Sequence, residues 1–183
     1  MASHRLAALR DEVGETVHLV LHDGEGLFVA LCMDSPQPVR THVEIGAWSP
    51  LHATSSGIAF LATLPDNAVE DVLDKGLPRY TANTPVTREE VWNEVQRVRD
   101  RGFAVNPTGW WRPDVFAVAA AITDPDMAPV AAVTISAPAS RFTEAKSADL
   151  GRRVRALADE LTQGLRMQSG ASERSLPSAE TRV

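Results

Sequence analysis

Three short segments carry the residue types that a small-molecule site would need. The first is His52-Ala53-Thr54-Ser55-Ser56-Gly57, at the start of a stretch rich in small residues. Free backbone N–H groups at a helix N-terminus, with hydroxyls beside them, bind carboxylates and phosphates. Plain N-capping by Thr54 or Ser55 accounts for the same residues without a ligand. The second segment is the strand-like run Val130 to Ser136, where Thr134 and Ser136 share a face with Ala132 while Val133 and Ile135 share the other. Two hydroxyls on an otherwise apolar strand need partners if they are buried. A bound ligand would supply them, and so would a solvated strand face. The third segment is Val115 to Thr123, with Ala117, Ala119 and Ala121 on one face and Phe116, Val118 and Ile122 on the other. A face of alanines either lets a helix pack closely or leaves a cavity, and periodicity does not choose between the two.

Other chemistry has no pattern behind it. The sequence contains no Gly-rich phosphate loop, no dinucleotide fingerprint and no Gly-x-Ser-x-Gly elbow. His18 and His22 stand four residues apart, but on a strand that spacing separates them too far to share a metal. His42 and His52 are isolated, and no metal or other cofactor is expected. A base and nucleophile drawn from His52 and a neighbouring serine such as Ser55 is conceivable on paper, without motif support.

The elements that would position these segments follow from periodicity and punctuation. Residues Ala2 to Val13 read as a helix with Leu6, Leu9 and Val13 on one face. Thr16 to His22 and Leu27 to Met33 flank Asp23-Gly24-Glu25-Gly26 and read as a hairpin. A loop with Gly46 and Pro50 leads to a helix over Thr54 to Thr63, and another helix is expected over Pro65 to Lys75. Thr87-Arg88-Glu89-Glu90 is a capping box whose helix runs to Arg101 and stops at Gly102. Phe103 to Val105 starts a strand. Val115 to Thr123 and Val130 to Ser136 form a second hairpin around Asp124-Pro125-Asp126. Thr143 caps a long final helix with Leu150, Val154, Leu157, Leu161 and Leu165 at helical period. From Ser169 the chain is polar and aperiodic, and residues 168–183 are expected to form a disordered tail. The order implies an α+β domain with a central antiparallel sheet flanked by helices.

Composition sets outer limits. A chain of 183 residues, 44% hydrophobic and 23% charged, fits one domain able to bury a full core. The single cysteine, Cys32, lies in an apolar run and suits a reducing cytoplasm. No apolar stretch is long enough for a membrane span. The net charge of -6 argues against duplex DNA binding by this chain. Arginines cluster at 97, 99 and 101 and at 152, 153 and 155, but acidic neighbours make these solvated helix faces.

Several blocks, in order, resemble the effector-binding domain of IclR-family bacterial regulators. "LRDEVGETVHLVL", Leu9 to Leu21, looks like the entry to that domain. "WSPLHATSSGIAFLATLP", Trp48 to Pro65, resembles its Leu-Pro-Leu-His-Ala-Thr signature, with Ile58 where the family has lysine. "VRDRGFAVN", Val98 to Asn106, resembles Arg-x-Arg-Gly-Tyr-Ala-x-Asp, with Asn106 at the acidic position. "AAAITDPDMAPVAAVTISAPASRFT", Ala119 to Thr143, resembles the closing hairpin.

The resemblance implies a GAF-like domain over residues 15–167, preceded by a linker helix over residues 1–14. It implies a small-molecule effector, a homodimer or tetramer, and operator binding only through a winged helix-turn-helix upstream of this sequence. Its pocket positions fall on Ser55, Ser56, Asn106, Val115, Ala117, Thr134 and Ser136. Trp110 and Trp111, in a segment unlike the family pattern, are candidates for an aromatic wall against an aromatic or apolar carboxylate. Packing in the core or at a subunit contact is the other use for them. The expected function is a non-enzymatic sensor domain of a transcriptional regulator. The alternatives are an enzyme acting on a small carboxylic acid through His52 and a serine, and a dimerisation module without a ligand.

Overall fold

A computed structural model describes residues 2–173. Its strands are β1 Thr16–His22, β2 Leu27–Met33, β3 Trp48–Ser49, β4 Ala104–Asn106, β5 Val115–Thr123 and β6 Pro129–Pro138. Its helices are α1 Ala2–Val13, α2 Ser55–Ala62, α3 Asp66–Leu73, α4 Arg88–Arg101 and α5 Glu144–Glu173. The strands form one sheet in the order β3-β2-β1-β6-β5-β4, and every neighbouring pair is antiparallel. Both expected hairpins are present, and pairing of β1 with β6 joins them into a single sheet. The edge strand β3 lies within what reads in sequence as loop, because two residues carry no periodicity. Helix α5 continues to Glu173, past the Ser169 at which the apolar period is lost. Of the expected disordered tail over residues 168–183, residues 168–173 are helical instead, and residues 174–183 lie outside the described residues.

Each face of the sheet has its own core. One face meets α1 and α5 through Leu6, Phe116, Val118, Ile122, Val133, Ile135, Leu150, Val154 and Leu157. The other meets α2, α3 and α4 through Val20, Ala104, Ala119, Ala132, Ile58, Leu61, Val69, Val91 and Val95. The alternation expected for β5 and β6 is thus present, with bulky residues toward α5 and alanines toward α2.

Helix ends are fixed locally. In α4 the Thr87 hydroxyl accepts from the Glu90 N–H at 3.2 Å, and the Glu90 carboxylate accepts from the Thr87 N–H at 3.0 Å. Gly102 closes the helix in the left-handed conformation, φ 83°. Five of the six clustered arginines pair with acids, Arg97 with Glu94, Arg99 with Asp66, Arg152 with Asp149, Arg153 with Asp149 and Glu12, and Arg155 with Asp159, while Arg101 donates to the Phe103 carbonyl.

Helix α2 depends on a close backbone approach. A Cβ on Gly57 would lie 2.0 Å from the Leu51 carbonyl oxygen and 2.5 Å from its carbon. Only glycine lets the first turn of α2 lie against the chain that leads into it. The contact is with backbone, so no side chain can swing away to relieve it. Gly57→Ala is expected to destabilise the domain by about 2 kcal/mol through overpacking. Urea unfolding of the two proteins checks this, and an unchanged midpoint would show that the Leu51 segment yields freely.

Candidate functional site

The sheet register lines up three rows of side chains on the face toward α2. The first row runs Asn106, Ala117, Ser136 and Thr16 across β4, β5, β6 and β1. The second runs Ala104, Ala119, Thr134, His18 and Cys32, ending on β2. The third runs Ala121, Ala132, Val20 and Val29. Where the rows pass under α2, Ala104, Ala119 and Ala132 are sealed into the core. Beside the N-terminus of α2 the same face opens into a cavity of about 90 Å³. That is room for several water molecules or a small metabolite. The alanine face therefore does both things its sequence allowed, holding a helix over one part and leaving space over another.

The cavity floor is His18, Val20, Val29, Ala117, Thr134, Ser136, Val115 and Asn106. Thr54, Ser55 and Ser56 of the α2 N-terminus face it, with Ser49 nearby. Thr41, His42 and Val43, from the long loop after β2, form one side, and Trp111 and Arg112 form another. The structure thus brings together every sequence-predicted site residue except Trp110.

Trp110 belongs instead to the core beneath α2, where it is 6% exposed. The reason is the turn after β4. The Asn106 side-chain oxygen accepts from the N–H groups of Thr108, Gly109 and Trp110 at 3.3, 3.0 and 3.2 Å. Thr81 donates to the Gly109 carbonyl at 2.8 Å and binds the turn from outside. Gly109 takes φ 71°, and a Cβ there would lie 2.6 Å from the Arg112 carbonyl oxygen. The tight turn directs Trp110 inward and leaves Trp111 and Arg112 at the cavity. Asn106 accordingly lines the site while its oxygen organises the turn.

The polar groups differ in how well they are satisfied. Thr54 is the N-cap of α2, its hydroxyl accepting from the Gly57 N–H at 3.0 Å and donating to the Pro50 carbonyl at 2.9 Å. Ser56 donates to Thr54 at 3.2 Å. The backbone N–H groups of Ser55 and Ser56 are first-turn donors without helical acceptors, beside the cavity. Thr41 and Ser136 share a hydroxyl contact at 2.9 Å. The Arg112 guanidinium stacks on Trp111, 4.6 Å from the ring centroid, and makes no ion pair among the described residues. On the floor, His18 Nδ1 and Thr134 Oγ1 are buried without a hydrogen-bond partner. Leaving such an atom unpaired costs about 1–3 kcal/mol, a cost that a water or a ligand bonded to it would remove.

His18, Val20, Val29, Thr41, His42, Val43, Ser49 and Arg112 were not among the residues that sequence singled out for the site. His18 had a legible signal, since Thr16, His18 and Val20 alternate with Val17 and Leu19 along β1. The Thr41 segment had none, because a long irregular loop carries no periodicity. His22 is 4.4 Å from Phe60, ring to ring, and takes no part.

The conceivable His52–serine pair is not assembled. His52 is absent from the cavity lining; its Nε2 meets the Pro78 carbonyl at 3.0 Å and its ring lies against Tyr80. Burial lowers its pKa below the ordinary histidine value, against a small opposing effect of that hydrogen bond.

The chain is similar to known proteins over most of its length. The family model of the bacterial transcriptional regulator IclR C-terminal region matches residues 1–163. The acetate operon repressor of Salmonella typhimurium is 33% identical over 161 residues, covering 86% of this chain and 58% of that protein. The transcriptional repressor IclR of Escherichia coli is likewise 33% identical over 161 residues. The chain thus spans 58% of the length of these curated relatives. The crystal structure of the Thermotoga maritima IclR superposes with a TM-score of 0.84 at 29% identity, covering 90% of this chain and 67% of that one.

Burial pushes the His18 pKa down to about 4 from an ordinary 6.5. The unfolded ring therefore takes a proton at a pH where the folded ring stays neutral. Stability from this group is complete above about pH 6.5 and is lost progressively toward pH 4. At pH 5 the loss is expected to be about 2 kcal/mol relative to pH 7. Urea unfolding of wild type and His18→Phe at both pH values isolates this contribution. Parallel pH profiles would show that the ring is hydrated in the folded state.

Proposed function

The chain belongs to the family of IclR-type regulator C-terminal domains, and from that premise we propose that it is a sensor for a small carboxylate effector. One observation carries the reading. The α2 N-terminus, an arginine without an ion pair and two unpartnered floor atoms all lie around one largely apolar cavity. The carboxylate would lie against the Ser55 and Ser56 N–H groups and the Arg112 guanidinium, which together offer donors and positive charge. Val20, Val29, Val115 and Ala117 would enclose its apolar part, with Trp111 as the aromatic wall.

In this reading the domain works in the cytoplasm as a homodimer or tetramer. Its net charge of -6 leaves operator binding to a separate winged helix-turn-helix domain. The effector regulates that binding only if it prefers one arrangement of the subunits, because a ligand shifts an equilibrium by its difference in affinity for the two states. No chemical step on the ligand is required, and the position of His52 offers no base for one.

A thermal-shift screen of the purified chain against aliphatic and aromatic carboxylic acids tests the proposal. An effector at a hundred times its dissociation constant should add about 2.7 kcal/mol, or roughly 5–10 °C in Tm. Ala117→Leu places a larger side chain on the cavity floor and should abolish that rise while the protein remains folded. A flat response to every acid, or a rise that survives Ala117→Leu, would defeat the reading.

A further inference from the structure

We propose that His18 and Thr134 form a recognition site for an uncharged hydroxyl group, so that the effector is a hydroxy-substituted carboxylic acid. The inference deepens the carboxylate-sensor reading and rests on it. His18 and Thr134 are direct partners in the β1–β6 register, so their side chains stand next to each other on the same face of the sheet. Both line the cavity, where they are 7% and 2% exposed. Their polar atoms, Nδ1 and Oγ1, bond neither to each other nor to any other group among the described residues. Of the other hydroxyls on the cavity wall, those of Thr41, Ser49, Thr54, Ser56 and Ser136 are engaged, and that of Ser55 makes no hydrogen bond among the described residues, but only Thr134 Oγ1 is both unpaired and fully buried.

The chemistry of the pair selects the ligand group. The threonine hydroxyl donates and accepts, and a neutral imidazole presents either a donor or an acceptor at Nδ1, depending on its tautomer. A ligand hydroxyl satisfies both atoms at once, donating to one and accepting from the other. A carboxylate here would lack a cation, since burial keeps the His18 ring neutral near pH 7. The positive charge and free N–H groups lie with Arg112 and the α2 N-terminus. An apolar group would leave both floor atoms unpaired. The cavity therefore asks for one charged end and one uncharged polar substituent on the same molecule.

Isothermal calorimetry with matched acids tests this, using benzoate against its three monohydroxy derivatives and propionate against lactate and 3-hydroxypropionate. One hydroxylated acid should bind about tenfold or more tightly than its parent, because a site built to bond a hydroxyl discriminates strongly against its loss. In Thr134→Val and in His18→Phe the ratio of those two affinities should fall toward one. The ligand-free Tm of each variant confirms folding, and Thr134→Val removes a buried unpaired oxygen at nearly constant shape. Equal binding of parent and hydroxylated acids to wild type would overturn the hydroxyl site and leave the carboxylate sensor intact. So would a preference that persists in both variants. Failure of every acid to bind would overturn both.

Discussion

The two faces of the central hairpin β5–β6 are unequal in size, and the rest of the molecule is arranged around that inequality. Phe116, Val118, Ile122, Val133 and Ile135 fill much of the side toward α5. Ala117, Ala119, Ala121 and Ala132 leave the opposite face low. A low floor lets α2 descend onto the sheet, and Gly57 lets α2 also lie against the backbone at Leu51. Helix α2 is short, so its N-terminus stops over the sheet rather than crossing it. The cavity is the space between that helix end and the part of the alanine face it does not cover. Larger side chains on these rows would fill the space or lift the helix, and either change would remove the site.

Much of this was legible in the sequence where local chemistry decides. The limits of α1, the first hairpin and α4 follow from periodicity, the Asp23–Gly26 turn and the Thr87–Glu90 capping box. The orientation of β5 and β6 follows from alternation alone. Information that depends on pairing between distant strands was not legible. Nothing near His18 in the sequence says that it will stand beside Thr134, because that neighbour is set by the β1–β6 register. Strand alternation and the resemblance to known regulators both pointed to Thr134 and Ser136, while the register explains why His18 joins them.

The two tryptophans show the same limit at shorter range. Trp110 and Trp111 are adjacent and chemically alike, so composition gives them one fate. The structure gives them two, because Asn106 gathers three successive N–H groups and turns the chain between them. An aspartate at that position would accept the same bonds and add a negative charge beside the cavity. With asparagine, Arg112 keeps its charge unopposed, which favours an anionic ligand.

A sensor must also transmit, and the hydrogen bonds around the loop after β2 show where transmission could begin. Thr41 meets Ser136 on the cavity floor and accepts through its carbonyl from Thr16 at 2.7 Å. Farther back on the same loop, Ser35 donates to the Gly14 carbonyl at 2.7 Å, and Arg10 of α1 donates to the Asp34 carbonyl at 3.1 Å. Glu15, buried beside that junction, is held by Arg141 and Lys146, which tie it to the start of α5. A ligand that competes for Ser136 or displaces Thr41 therefore acts on a segment bonded directly to the end of α1. These contacts are a path in space only. They couple effector to helix if their combined strength differs between the bound and free states, and the Thr41–Ser136 contact is the one among them whose two residues both line the cavity.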